Sequence, residues 1–165
     1  MARLRRCLCI ASLAAASGWL IAAAGAAGPQ QTLLAASDPV ELGAAPVRVA
    51  LSGPASLPSG RQVYLVLHDL RATAQPGVVY DVYLGLPATG AAPGPADPRY
   101  VGTINFFAAG PPANAGRTVS YEVTRMLRRL QAEGALRSGI SATIAPEGVP
   151  EAAGATIGRI ELVAQ

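Results

Sequence analysis

Few residues of this chain can do chemistry: among 165 residues there is one histidine, ten carboxylates and no lysine. His68 closes an apolar run and is followed by Asp69, so a base and a carboxylate are neighbours in sequence. Successive residues of a strand point to opposite faces, and adjacency therefore does not bring the two side chains together. A histidine in this position reads as a partly exposed hydrogen-bonding residue. Zinc and copper sites of the usual kinds need several His or Cys ligands. One histidine, with Cys7 and Cys9 both near the N-terminus, does not supply them. The carboxylates Asp69, Asp81, Asp97, Glu122, Glu133, Glu147, Glu151 and Glu161 are scattered, and a glycosidase-type pair would need two of them to converge in a cleft. No G-x-S-x-G elbow is present, and Gly53, Gly60, Gly77 and Gly85 stand at turns, not in a phosphate loop. The expectation is a chain that is not an enzyme, with no catalytic, cofactor-binding or metal-binding residue and no cofactor. Arg125 and Arg129 share a helical face that suits either an acidic partner or plain solvation.

The N-terminus changes the arithmetic. Arg3, Arg5 and Arg6 precede an uncharged Ala- and Leu-rich stretch from Cys7 to Ala27, the layout of a secretory signal peptide. Ala24-Gly25-Ala26 offers cleavage after Ala26, and Ala22-Ala23-Ala24 offers cleavage after Ala24. A retained anchor is the competing reading, weakened because so many of the residues are Ala and Gly. Arg5-Arg6 leaves twin-arginine export open beside the general secretory route. Removal of residues 1–26 takes away both cysteines and three of the thirteen arginines, leaving ten arginines against ten acids. The expected mature chain is exported, to the periplasm or beyond, with no membrane span and no disulfide. Its balanced charge argues against nucleic acid as a partner.

Residues 27–45 read as a flexible tether or a loosely held first strand, and order is expected from Pro46. Val47, Val49 and Leu51 alternate with Arg48, Ala50 and Ser52, as in a half-buried strand. Val63 to Leu67 is the denser apolar run of an interior strand, and Val78 to Leu86 gives a third. Two irregular loops, 86–98 and 108–116, flank a fourth strand over 99–107; a fifth follows at 118–123. From Thr124 the spacing of Met126, Leu127 and Leu130 predicts one short helix, with Thr124 as its cap and Gly134 as its stop. Residues 140–144 and 155–163 supply two closing strands. The fold class is all-β: an antiparallel β-sandwich of about seven strands over 46–165 with one short α-helix, preceded by a signal helix.

The succession VYLVLHDLRA, QPGVVYDVYLGLP, DPRYVGTINFFA, RTVSYEVTRMLRRLQAEG, ISATIAPEG and GRIELV resembles the C-terminal domain that follows the dicopper domain in bacterial tyrosinase-family proteins and plant polyphenol oxidases. Tyr80-Asp81-Val82-Tyr83 stands where the plant enzymes carry the end of a lysine-phenylalanine-aspartate-valine-tyrosine motif. The resemblance covers roughly residues 46–163. It implies a cap over a dicopper site, without the helical bundle or the six histidines that bind the copper. Tyr80, Asp81, Val82, Tyr83 and Phe107 are then fold-determining. The implied partner is a separately encoded tyrosinase-like oxidase, contacted through the two long loops with Phe106 beside them and through Arg125 and Arg129. The competing reading is a free-standing extracellular binding module for a carbohydrate, a small phenolic or a protein.

Overall fold

The computed structural model describes residues 29–165 apart from 54–55, 89–91, 108–115, 137–138 and 152–153. The expected signal segment 1–26, most of the 108–116 loop and residues 89–91 of the 86–98 loop lie outside the described residues. Ten strands and one helix follow in the order β1 (Gln31–Ala36), β2 (Val40–Leu42), β3 (Val47–Leu51), β4 (Val63–Ala72), β5 (Tyr80–Leu84), β6 (Tyr100–Ile104), β7 (Arg117–Glu122), α1 (Thr124–Ala132), β8 (Ile140–Pro146), β9 (Ala155–Ile157) and β10 (Arg159–Ala164). They form two antiparallel sheets, β1-β10-β4-β9-β2 with β7 on the other side of β4, and β3-β8-β5-β6. Leu65, Leu67, Val82, Leu84, Ile144, Ile160 and Leu162 lie fully buried between them. Among the described residues the all-β sandwich with one short helix is thus as the sequence indicates, with ten strands where about seven are expected.

The expected tether contains β1 and β2, both paired to the C-terminal ribbon: Gln31 to Ala36 run against Ala164 to Ile160, and Val40 to Leu42 against Ile157 to Ala155. Leu33, Leu34, Val40 and Leu42 are core residues. Order therefore begins well before Pro46. The Ala-rich composition of this stretch gives little hydrophobic contrast, and what holds it is a partner strand more than a hundred residues away.

The expected last strand, 155–163, is β9 and β10 with Gly158 between them. Both pair with β4 in a single register, Ala155 opposite Ala72 and Arg159 opposite His68. Opposite Gly158 lies Asp69, in the left-handed region at φ 56, a conformation open mainly to Gly, Asn and Asp. A residue extra on β4 relative to β7 falls here. The bulge moves the inward positions of β4 from Val63, Leu65 and Leu67 to Leu70 and Ala72. A Cβ on Gly158 would come within 2.7 Å of the Asp69 Cβ, and one on Gly116 would strike the Asp69 carboxylate. Glycines on both neighbouring strands make room for this one aspartate.

Helix α1 closes one end of the sandwich, with Leu127 and Leu130 buried in the core. Thr124 does not cap it. Its hydroxyl accepts the Val63 N–H at 2.8 Å and ties the helix to β4, while the Glu122 carboxylate accepts the Thr124 N–H at 2.9 Å. Hydrogen bonding from the Thr124 side chain and then from its N–H holds the Glu122 carboxyl below its ordinary value of 4.5. Gly134, at φ 75, ends the helix as expected.

Candidate functional site

The outer face of the β3-β8-β5-β6 sheet carries the tyrosine motif. Along β5, Tyr80, Val82 and Leu84 point into the core, so Asp81 and Tyr83 point outward. They are nevertheless buried, at 7% and 0% exposure; Leu86 and Ala92 pack against Tyr83, and Gly94 is bonded to it. Cross-strand pairing sets two rows on this face: Ala145, Asp81 and Thr103 in one, and Arg48, Thr143, Tyr83 and Tyr100 in the next.

A chain of hydrogen bonds links the rows to the loop. The Tyr83 hydroxyl donates to Asp81 Oδ2 at 3.2 Å and accepts the Gly94 N–H at 3.1 Å. Thr103 Oγ1 donates to Asp81 Oδ1 at 3.0 Å and also meets the Tyr100 hydroxyl. The rings of Tyr83 and Tyr100 meet edge to face at 5.6 Å. Burial, then the neighbouring Asp81, pushes the Tyr83 hydroxyl up to about 12. Tyr80 faces the other way and packs edge to face on Phe106 with ring centroids 5.7 Å apart; burial raises its hydroxyl too. Of the four motif residues, Tyr80 and Val82 fill the core, Tyr83 fastens Gly94 of the loop to the sheet, and Asp81 accepts from Tyr83 and Thr103.

Beyond this network the same face opens into a cleft of about 470 Å³, lined by Pro46, Arg48, Pro87, Asp97, Arg99 and Thr143 among others. Arg48 Nη1 donates to the Pro87 carbonyl at 2.6 Å. The Arg99 N–H donates to Asp97 Oδ1 at 2.7 Å, and its guanidinium lies 4.0 Å from Glu133 on the helix side. Arg99 Nε and Thr143 Oγ1 are buried without a hydrogen-bond partner.

The β1-β10-β4 face carries His68, whose Nε2 lies 2.7 Å from Glu161 Oε1 across the strand pair. Glu161, 7% exposed, also receives Arg159 and Thr32, each at 3.3 Å. His68 is thus a cross-strand hydrogen-bonding residue, and Asp69 is turned aside toward Arg71 at 3.2 Å. No group of three or more His, Cys, Asp or Glu that could hold a metal occurs among the described residues.

The burial of the two phenylalanines is the reverse of that read from sequence. Phe106 is 2% exposed, so it is a core residue and not a surface contact; Phe107 is 69% exposed, so its ring contributes nothing to the packed fold. Period two from the inward Ile104 carries Phe106 inward and Phe107 outward, a signal the alternation already held. Arg125 is exposed on the helix. Arg129 is engaged, donating to the Pro98 carbonyl and lying 4.0 Å from Glu133. Phe107 sits past the Tyr80 end of the sheet, whereas Leu130 of the helix touches Gly85 at the other end. The structure does not bring Phe107 and the arginines together. Val149, 80% exposed, follows β8 past Pro146, the partner of Tyr80, and so shares Phe107's end.

Among solved structures the chain is similar to recombinantly expressed latent aurone synthase, a polyphenol oxidase, at 20% identity and a TM-score of 0.57, over 78% of this chain and 25% of that one. Latent apple tyrosinase matches at 18% identity and a TM-score of 0.55, over 77% and 27%. The chain spans about a quarter of the length of these structures, and at such identity the likeness shows the fold alone. No curated protein matches the sequence. Residues 40–165 match the model of a family described as a domain of unknown function, DUF7868, and the chain belongs to that family.

Proposed function

We propose that this is an exported, non-catalytic accessory domain that binds a tyrosinase-like dicopper oxidase and shields its site or helps to assemble it. The observation that carries this reading is the extent of the structural likeness: most of this chain superposes on only a quarter of two latent oxidases, a polyphenol oxidase and a tyrosinase. The tyrosine motif supports it by building the sheet face and its strapped loop, as the sequence resemblance implies. The end of the sandwich bearing Phe107 and Val149 is the docking surface, because the exposed large apolar side chains of the described residues gather there. The leader supports export.

The test mixes the purified chain with a tyrosinase-like oxidase stripped of its own C-terminal domain. A complex at micromolar concentration, with slower phenol oxidation that recovers when Phe107 is replaced by Ser, supports the proposal. The absence of both a complex and any change in copper loading or rate refutes it.

A further inference from the structure

The cleft on the outer face of the second sheet has the features of a built ligand site, and none of them enters the proposed docking. Its volume of about 470 Å³ falls within the range of small-molecule sites, roughly 300–1,000 Å³. Thr143 stands on its floor, 8% exposed, with a hydroxyl that has no partner. Beside it in the same cross-strand row is Arg48, and the lining also includes Arg99, whose Nε–H is buried and unpartnered. Buried polar groups are nearly always paired, and the two residues that carry these unpartnered atoms both line the one concavity. The lining carries two guanidinium groups and one acid, Asp97, whose Oδ1 accepts the Arg99 backbone N–H; Arg48 also donates to the Pro87 carbonyl, and Arg99 lies 4.0 Å from Glu133 outside the lining. Pro46, Pro87 and Pro93 with Leu86 make flat apolar walls. Guanidinium groups bind carboxylates through paired donors and also stack on ring faces.

We infer that this cleft binds a small aromatic carboxylate, its anionic head between Arg48 and Arg99 within reach of Thr143 and its ring against the prolines. The sheet fixes Arg48 and Thr143, and the Tyr83–Gly94 hydrogen bond holds the loop wall in place. The site does not depend on the accessory role.

Benzoate is the probe, titrated into the ¹⁵N-labelled chain and followed by amide shifts, with benzamide as the uncharged control of the same shape. The expected result is saturable movement of the Thr143 and Gly94 amides, with a Kd on the order of 0.1 mM for a ligand of about nine heavy atoms. Benzamide should bind at least about tenfold more weakly, and Arg48→Gln and Thr143→Val should each weaken benzoate about tenfold. Arg48 is exposed, so its replacement leaves a folded chain on which the measurement can be read. Silence at millimolar benzoate overturns the inference, as does equal binding of benzamide. So does movement of the same amides by an acetylated aspartyl peptide when benzoate is silent, which would give the cleft to a protein partner.

Discussion

Replacing Asp81 by Ala tests whether the motif network holds the loop onto the sheet. Asp81 accepts from Tyr83 and from Thr103, and the two donors do not lose equally. Thr103 is exposed and keeps the Tyr100 hydroxyl nearby, so solvent replaces the carboxylate there. Tyr83 is fully buried; its O–H is left without an acceptor, which costs about 1–3 kcal/mol. With the smaller loss at Thr103, the expected destabilisation is about 2–3 kcal/mol. In urea, at an m-value of about 1–3 kcal/mol/M, this lowers the midpoint by about 0.7–3 M with m unchanged. Tyr83→Phe leaves the buried Asp81 carboxylate one donor short and the Gly94 N–H without its acceptor, so on its own it should cost about 1–3 kcal/mol. In the double variant the two losses should fall short of their sum by about 1 kcal/mol. The Gly94 amide, which donates to Tyr83, should exchange faster in Tyr83→Phe than in the parent. An Asp81→Ala cost below about 0.5 kcal/mol, or additivity within about 0.3–0.5 kcal/mol, would show that the network does not hold this face.

Phe106→Ala should destabilise the chain by about 3–5 kcal/mol by emptying a core position, whereas Phe107→Ala should stay within about 0.5 kcal/mol; paired urea melts decide it. The Tyr83 hydroxyl, at about 12 in the folded chain against an ordinary 10.0, stays neutral longer when folded, so its contribution is intact below pH 10 and drains away as pH rises toward 12. Alkaline melts should show this loss, and Tyr83→Phe should flatten it and remove the last step of the phenolate absorbance titration. Gly158→Ala brings a Cβ within 2.7 Å of the Asp69 Cβ and should cost about 1–3 kcal/mol. Adding Asp69→Gly should recover most of that cost, since it removes the struck atoms from a residue at φ 56; an additive pair would place the strain elsewhere.

What the sequence made legible follows hydrophobic contrast. The alternation in Val47 to Leu51 and the dense run from Val63 are both strands, the second flanked on both sides by partners. Where contrast is low the pattern is silent: β1 and β2 sit in Ala-rich sequence and are fixed by pairing with β9 and β10. The bulge at Asp69 was hidden for another reason, because the inward parity of β4 changes in mid-strand and no local turn residue announces it. The Thr124 hydroxyl was read as a local cap because capping is a local rule, yet it is taken by Val63, sixty-one positions away. The cleft was likewise illegible. Arg48, Arg99 and Thr143 are far apart in the chain, and cross-strand register brings Arg48 beside Thr143.

Strand direction separates the two proposed activities. Past Tyr80 and its partners Ile104 and Pro146, the chain leads to Phe107 and Val149; past Leu84 it leads to Gly85, the strapped loop and the helix end. The two ends are several residues apart along β5 at about 3.4 Å per residue, farther than side chains reach. A partner whose contacts stay at the Phe107 end would leave the arginine-lined cleft open to solvent. Phe107→Ser should weaken the oxidase complex without changing benzoate binding, and Arg48→Gln should do the reverse. If instead benzoate competed with the oxidase, the docking surface would have to lie over the cleft, and the exposed Phe107 and Val149 would need a different explanation.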